Sequence, residues 1–252
     1  MKQLLEVNAS IIGSSLSAWR GTMINRPVLR QPEQPIELFE FEADPHCRLL
    51  REALTEMDLD ALIRPCPEGG ARFRGTATAA SPLQLPHLVD PNTGSALSGS
   101  AEIIAYLAQT YGAKPAQVRG LMRQIGVVSG ALASAVRGGR GGKARRSRAP
   151  ERPLELFSFE SSPYSRLVRE VLCELELPYL LRNTGKGRWT DLGPPALRDR
   201  LLQAPNGTGR NRKRLHARTG RVQVPYLIDP NTGTELFESA DIVGYLEKRY
   251  AL

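Results

Sequence analysis

The stretch Gln223-Val-Pro-Tyr-Leu-Ile-Asp-Pro-Asn-Thr-Gly233 repeats an earlier one, Gln84-Leu-Pro-His-Leu-Val-Asp-Pro-Asn-Thr-Gly94. The two copies lie 139 positions apart, and their register continues without a gap to the tyrosines at 111 and 250. Upstream, residues 37–59 match residues 155–177 at an offset of 118, so the second copy is 21 residues longer between its matched blocks. A repeat of this length indicates a duplicated domain and not a solenoid unit.

Composition indicates a globular protein with room for two domains. The 252 residues are 41% hydrophobic and 24% charged, which is not the composition of a disordered chain. The three cysteines form neither a disulfide framework nor a zinc-finger spacing, so we expect a reducing compartment, the cytoplasm. Glu6 and Asn8 interrupt the N-terminal apolar run, and no run is long enough for a membrane helix. We therefore expect neither a signal peptide nor a membrane span.

The residue pattern predicts the same order of elements in each copy, β-α-β followed by β-β-α. In the first copy, residues 36–41 alternate as a strand does. Asp44-Pro45 is typical of a helix start, with Asp as the N-cap and Pro at the first helical position. A Gly- and Pro-rich loop is expected over 65–82, and residues 90–94 have the composition of a tight turn. The second copy repeats this order, with its 21 extra residues in a long loop between 182 and 221.

Helices are expected on both flanks of the first copy. Apolar spacing predicts an amphipathic helix over 3–19, which we expect to dock on its own domain, and another over 115–136. The chain then divides into an N-terminal helix and extended lead-in (1–34), a first thioredoxin-like domain, here called unit one (35–112), a connecting helix and basic linker (113–152), and unit two (153–252).

Much of the net charge of +8 lies in the linker at 137–152 and in the loop at 205–221. Runs of Arg and Lys can bind nucleic-acid backbones. Neither run contains Phe, Tyr or Trp for stacking on bases, so we expect flexible, solvated segments and keep nucleic-acid association as a lesser alternative. The sequence does not indicate whether the loop at 205–221 closes over unit two.

Three motifs carry a family resemblance: Ser162-Pro-Tyr164-Ser165, Val224-Pro225 and Glu238-Ser239. In this order they resemble the thioredoxin fold, and more narrowly the N-terminal, glutathione-binding domain of glutathione S-transferases and the related glutaredoxins. The resemblance covers both units. It implies an α/β fold class, with two tandem thioredoxin-like domains and flanking helices.

The resemblance also implies glutathione as the ligand of unit two. A helix N-terminus at Ser162 would favour a thiolate, and in similar transferases a serine hydroxyl at this place donates to the glutathione thiolate. Ser162 is therefore the expected catalytic residue, and Tyr164 beside it is an expected ligand contact. The alternative for Ser162 is that it is only a helix cap.

Four further residues would hold the rest of the ligand. The resemblance implies that Pro225 is cis and that the backbone of Val224 pairs with the cysteinyl backbone of glutathione. Glu238 would take the γ-glutamyl ammonium group, and Ser239, at the next helix N-terminus, its carboxylate. The alternative for Glu238 is that it is only an exposed residue ahead of a helix.

Unit one departs from this pattern. Asp44 and Ser162 stand where glutaredoxins have the first Cys of Cys-Pro-X-Cys, so a dithiol oxidoreductase is excluded. Cys47 remains at the second position. A helix N-terminus lowers a thiol pKa, which would favour a redox role for Cys47, whereas the negative charge of Asp44 opposes it. Gly99-Ser100 replaces Glu238-Ser239, so we expect unit one to be a degenerate site. No fourth ligand accompanies His46, Cys47 and His87, and we expect no metal.

Two functions remain open from sequence. The first is a glutathione S-transferase-like enzyme acting on an electrophilic small molecule. The second is a non-catalytic module that acts through protein association, as a homodimer or with another protein. The missing CxxC, the degenerate site in unit one and the absence of the helical domain that usually forms the hydrophobic substrate pocket favour the second function. The family residues kept in unit two favour the first, and a glutathione-binding, transferase-like protein is our expectation.

Overall fold

The computed structural model describes residues 2–75, 84–114, 126–132, 135, 137–188, 191 and 208–252. Unit one contains β1 (Ile36–Glu40), α2 (Pro45–Glu56), β2 (Ala61–Pro65), β3 (His87–Asp90), β4 (Ser95–Ser98) and α3 (Ser100–Tyr111). Unit two contains β5 (Leu154–Ser158), α5 (Pro163–Glu174), β6 (Tyr179–Asn183), α6 (Arg210–Thr219), β7 (Tyr226–Asp229), β8 (Thr234–Phe237) and α7 (Ser239–Tyr250). Helix α1 (Lys2–Leu16) precedes unit one, and a helical segment over 126–132, here α4, precedes unit two.

The eight strands of the described residues belong to one sheet, in the order β4-β3-β1-β2-β6-β5-β7-β8. Within each unit the first two strands are parallel and the other pairs are antiparallel. The units join where β2 pairs antiparallel with β6, with Leu62 opposite Leu180. The strand order is the same read from either end, so an approximate two-fold axis passes through this pair. Each unit thereby covers an edge strand of the other.

One hydrophobic core runs through both units. Alternate residues of the central strands, such as Leu38, Ile63 and Leu156, pack with the helices, among them Leu54 of α2 and Leu172 of α5. Two smaller clusters lie elsewhere: Phe39 with Cys66 and Phe73 in unit one, and Phe157 with Leu215 and Tyr226 in unit two. The α/β class with two tandem thioredoxin-like units, predicted from sequence, is confirmed.

The flanking helices differ from the prediction. Helix α1 ends at Leu16 and packs on α5 of unit two, not on its own unit. The hydroxyls of Ser10 and Ser14 donate to the carbonyls of Pro163 and Ser161, each at 2.9 Å. An amphipathic pattern identifies the face that a helix buries, but not the partner that covers it. The helix predicted over 115–136 is described only at 126–132 and 135, and 115–125 lie outside the described residues.

Helix α4, which precedes unit two, packs in the equivalent way on unit one. A β-carbon added at Gly130 would lie 3.2 Å from Cβ of Pro45, so α4 packs against the start of α2 in unit one. The helix that precedes each unit therefore covers the first helix of the other unit. This arrangement makes the two units interdependent.

The prediction of a flexible linker over 137–152 is wrong. The buried Arg137 donates to both carboxylate oxygens of Glu170, at 2.9 and 2.6 Å. Lys143 pairs with Glu68 of unit one as an isolated bridge, and the backbone N–H of Arg145 donates to Glu174 at 2.7 Å. Backbone pairing and buried charge fix this basic segment to both units.

The prediction of a solvated loop over 205–221 is also wrong for its second half, which forms α6. Leu215 is the buried apolar residue of α6, and Gly220, with φ of 75°, caps the C-terminus of the helix. Arg210 donates to Asp60 of unit one at 2.8 Å. A helix that buries a single leucine among basic residues has no apolar stripe, so periodicity does not reveal it. Residues 76–83 of the loop predicted over 65–82 lie outside the described residues.

Candidate functional site

Strand register brings the three sequence motifs of unit two to one end of the sheet. Phe157 of β5 pairs with Tyr226 of β7, and Tyr226 pairs with Phe237 of β8. The end of β5, the start of β7 and the end of β8 are therefore neighbours. The next residues outward along these strands are 159–162, Val224-Pro225 and Glu238-Ser239.

Ser162 is the N-cap of α5. Its hydroxyl oxygen accepts from the backbone N–H of Ser165 at 3.3 Å, and the residue is 3% exposed. A cap uses a lone pair of the hydroxyl and leaves its O–H free to donate. Capping and donation to a bound thiolate are therefore compatible roles. Tyr164, two residues after Ser162, is 47% exposed.

Helix α1 closes over the start of α5. Besides the two serine contacts described above, the hydroxyl of Thr22, in the segment that follows α1, is hydrogen-bonded to that of Ser161. The sequence pattern did not reveal this cover, since the motifs identify positions within unit two and α1 comes from outside it. The low exposure of Ser162 follows in part from this packing.

Both X-Pro bonds that open the third strand of each unit, Leu85-Pro86 and Val224-Pro225, are cis, as the resemblance implies. Val224 precedes the first paired residue of β7. Within the described part of the chain its backbone makes no hydrogen bond. Its N–H and C=O are thus available to an extended ligand strand.

Glu238 has an unusual backbone. Its φ is 63° and its ψ is 122°, a region that L-residues rarely adopt, and its side chain is exposed. The equivalent residue of unit one, Gly99, has φ of 89° and ψ of 129°. The side-chain amide of Gln223 donates to the Glu238 carboxylate. The fold requires this conformation in both units, and only unit two has a side chain with a carboxylate there.

Ser239 is the first residue of α7 and is 3% exposed. No side chain of the described residues caps α7, although the carbonyl of Glu238 accepts from the N–H of Ile242 at 3.0 Å. The first N–H groups of a helix attract anions. The carboxylate of Glu238 and the positive end of α7 therefore offer places for a ligand cation and a ligand carboxylate side by side.

A polar and aromatic group beside these motifs was missed in the sequence. The Tyr226 hydroxyl donates to Glu235, which also accepts from Arg218. The Arg221 guanidinium lies 3.8 Å from the centre of the Phe237 ring. Burial and the bond to Glu235 raise the pKa of Tyr226 to about 12. A signal was present: at the positions of Tyr226, Glu235 and Phe237, unit one has histidine, alanine and serine, although the surrounding residues repeat.

Unit one places its motif residues differently. The Asp44 carboxylate caps α2 by accepting from the N–H of Cys47 at 2.7 Å. The Cys47 thiol is fully buried, and burial, with the negative charges of Asp44 and Glu40, raises its pKa well above the ordinary value. Burial likewise raises the pKa of Cys66 to about 12. These surroundings disfavour a reactive thiolate at Cys47.

The described residues contain no cluster of three or more His, Cys, Asp or Glu side chains that could hold a metal ion. None of the described helices is both long and apolar enough to cross a bilayer. A cavity of about 280 Å³ lies near the start of β5, at the opposite end from Ser162, and is lined by Pro35, Leu62, Leu154, Leu180 and Ile228 among others. It is separate from the candidate site.

Comparison with protein families supports the two-unit architecture. A family model described as glutathione S-transferase, N-terminal domain, matches residues 38–115 and 156–252. The comparisons with curated proteins and with solved structures give no match. The two matched segments together cover more than half of the chain and coincide with the two halves of the sheet. This chain therefore belongs to the glutathione S-transferase N-terminal domain family.

Proposed function

We propose that the protein binds glutathione in unit two and acts as a glutathione S-transferase-like protein. The observation that carries this proposal is the strained backbone of Glu238. A non-glycine residue at such φ and ψ costs about 1–3 kcal/mol, and residues of this kind cluster at ligand sites. Gly99 shows that the same turn forms without that cost when no carboxylate is needed.

Four groups of glutathione have a complementary partner in this proposal. The Glu238 carboxylate binds the γ-glutamyl ammonium group, and the N-terminus of α7 at Ser239 binds the adjacent carboxylate. The free backbone of Val224, held by Pro225, pairs with the cysteinyl residue. The hydroxyl of Ser162, at the N-terminus of α5, donates to the thiolate and lowers the thiol pKa.

The first test is calorimetric titration of reduced glutathione into the wild-type chain and into Glu238→Ala. We expect saturable binding that is at least about tenfold weaker in the variant, because a charge-assisted hydrogen bond is lost. Ser100→Ala, next to Gly99, the unit-one equivalent of Glu238, is the control and should bind as the wild type does. Absence of binding at millimolar glutathione, or equal affinity in Glu238→Ala, would contradict the proposal.

Catalysis is a separate question from binding. If Ser162 activates the thiol, Ser162→Ala should retain glutathione affinity within a few fold and lose most turnover of a reactive aryl halide. The pKa of bound glutathione, followed by thiolate absorbance, should rise in this variant. Binding without turnover in the wild type would instead favour the second candidate, a non-catalytic module acting through protein association. The 3% exposure of Ser162 is the observation that favours this second candidate.

Nucleic-acid association is not proposed. The basic residues that suggested it are largely engaged within the molecule: Arg137 with Glu170, and Arg218 with Glu235. Arg145 lies between Glu174 and Glu247. Charges neutralised in this way release few counterions on binding a phosphate backbone.

A further inference from the structure

A cluster of charged residues lies between the two units, where α2 and α5 approach each other. It is nearly symmetric about the two-fold axis, and all its members except Arg20 are buried. We call it the interface charge cluster, and it consists of Arg20, Glu40, Glu42, Arg48, Arg51, Glu52, Arg137, Glu160, Arg166, Arg169 and Glu170. Among the described residues it therefore holds six guanidinium groups and five carboxylates.

Most of these arginines have a carboxylate partner. Arg51 donates to Glu160 at 2.9 Å and also to Glu40, and Arg169 donates to Glu42 at 2.9 Å. These contacts cross from one unit to the other or close the centre of the cluster. Arg48 and its equivalent Arg166 take no part in these central ion pairs.

The carboxylate contacts of Arg48 and Arg166 differ between the two units. In unit one, Glu52 shares its two oxygens between Arg20, at 2.9 Å, and Arg48, at 3.1 Å. In unit two, Arg137 occupies both oxygens of the equivalent Glu170. No carboxylate of the described residues lies within ion-pair distance of Arg166. The surplus positive charge of the cluster is therefore located at this arginine.

Arg166 is 3% exposed, and its guanidinium makes one hydrogen bond to the described residues, from Nη2 to the hydroxyl of Ser14 at 3.3 Å. Its Nε and Nη1 have no acceptor within the described part of the chain, and the same holds for Nη2 of Arg48. Burial, and then repulsion by Arg48, lower the pKa of Arg166 to about 10. Nε of Arg48 lies 3.9 Å from Glu160, and the Ser14 hydroxyl that accepts from Arg166 is itself bonded to the Ser161 carbonyl, so both guanidinium groups lie beside residues 160–161. Buried unpaired charges of this kind are strongly unfavourable without a counter-charge.

We propose that Arg166 and Arg48 form a binding site for a small oxyanion of the phosphate class between the two units. Guanidinium groups present parallel N–H donors that match the oxygens of such an ion, and the negative charge balances the cluster. One oxygen of Glu160, 3.9 Å from Nε of Arg48, also lacks a donor among the described residues. A hydrogen phosphate ion supplies acceptors for the arginines and a donor for this oxygen. This proposal does not rest on the proposed binding of glutathione.

The test is thermal denaturation of the full chain in phosphate and in chloride, at equal pH and equal ionic strength. We expect phosphate to raise the midpoint in a saturable manner, as ligand binding to the folded state does. In Arg166→Met the affinity for phosphate should fall at least about tenfold. Arg30→Met, which removes an exposed arginine, should keep the full response.

No saturable effect of phosphate on the wild-type chain would overturn the proposal, and so would an equal effect in Arg166→Met. If that variant does not fold, Arg48→Met takes its place in the comparison. Crystals of the wild-type chain soaked in arsenate give a readout that needs no variant. An anomalous arsenic peak beside Arg166 would support the site, whereas peaks only elsewhere would overturn it.

Discussion

Glu238 and Gly99 adopt the same backbone conformation with opposite consequences for stability. Replacing Glu238 by glycine should relieve about 1–3 kcal/mol of strain, against about 0.5–1 kcal/mol of added chain entropy in the unfolded state. We therefore expect Glu238→Gly to raise the free energy of unfolding by about 1 kcal/mol while weakening glutathione binding. Urea denaturation measures the first effect and calorimetry the second.

Gly99→Ala is the matched control, because it introduces the strain that Glu238 already has. It should lower the free energy of unfolding by about 1 kcal/mol or more and leave glutathione binding unchanged. A Glu238→Gly variant that is less stable than the wild type would mean that the carboxylate has a structural role, in which case the proposed ligand role loses its main support.

A second residue-level prediction concerns pH. Burial, helped by the negative charges of Glu42 and Glu160 and opposed by Arg51, raises the pKa of Glu40 from 4.5 to about 7. The folded chain therefore retains a proton that the unfolded chain releases. The stabilisation from the Glu40 carboxyl group is complete below its pKa in the unfolded chain and is lost as the pH rises through its pKa in the folded chain. We expect the free energy of unfolding to fall between about pH 5 and about pH 8.

Glu40→Gln should reduce this fall, since the amide does not titrate, and denaturant titrations at the two pH values measure the difference. Part of the fall should survive, because burial also raises the pKa of Asp58, to about 6. Glu102→Gln removes an exposed carboxylate of α3 and serves as the control. An unchanged pH dependence in Glu40→Gln would show that the Glu40 carboxylate is ionised throughout this range.

At the scale of the elements, each Asp-Pro-Asn-Thr-Gly turn is fastened to the last helix of its unit. The Asp229 carboxylate accepts from Tyr250 at 2.5 Å and from Tyr245 at 2.7 Å, and Asp90 of unit one is bonded in the same way. Burial acts to raise the pKa of Asp229, but the bonds from Tyr250, Tyr245 and Asn231 outweigh it and lower that pKa. The repeated sequence thus encodes a repeated contact between a turn and a helix.

Tyr250→Phe should cost about 1.5–3 kcal/mol of unfolding free energy, the usual range for a hydrogen bond to a charged group. Tyr245→Phe should cost less, because Tyr245 is only half-buried and water can replace its hydroxyl. The cost of Tyr250→Phe should diminish as the pH falls from the ordinary Asp pKa through the lowered pKa of Asp229, since protonation weakens the bond. Equal costs for the two variants at neutral pH would contradict this account.

Local patterns predicted the order of strands and helices, because turns, caps and strand alternation are encoded by adjacent residues. They could not assign α1 to unit two, since the serines that meet α5 differ little from the serines of a solvated face. One signal was available: Arg20-Gly21 recurs as Arg137-Gly138, which places the flanking helices inside the repeat. The three ligand motifs were found because each is contiguous, whereas the cover over Ser162 depends on residues far away in sequence.

At the scale of the whole molecule, the two units are held by reciprocal contacts. The Arg72 guanidinium of unit one donates to the carbonyls of Leu175 and Glu176 in unit two, and Arg210 of unit two donates to Asp60 in unit one. The central ion pairs of the interface charge cluster and the β2–β6 pairing add to these. A chain cut between the units would expose an open strand edge and leave buried charges without partners.

We therefore expect the protein to unfold in one cooperative transition, with circular dichroism and tryptophan fluorescence changing together. The fragment 153–252, which the sequence suggested as a domain, should not fold alone, and addition of fragment 1–152 should restore its structure. Arg169→Met in the full chain should cost about 3–5 kcal/mol, because it removes both hydrogen bonds of Arg169 to the buried Glu42 carboxylate and leaves that carboxylate only Arg51, at 3.4 Å, among the described residues. Two separate transitions, or a fragment 153–252 with a cooperative transition of its own, would show that the interface is a docking contact between independent domains.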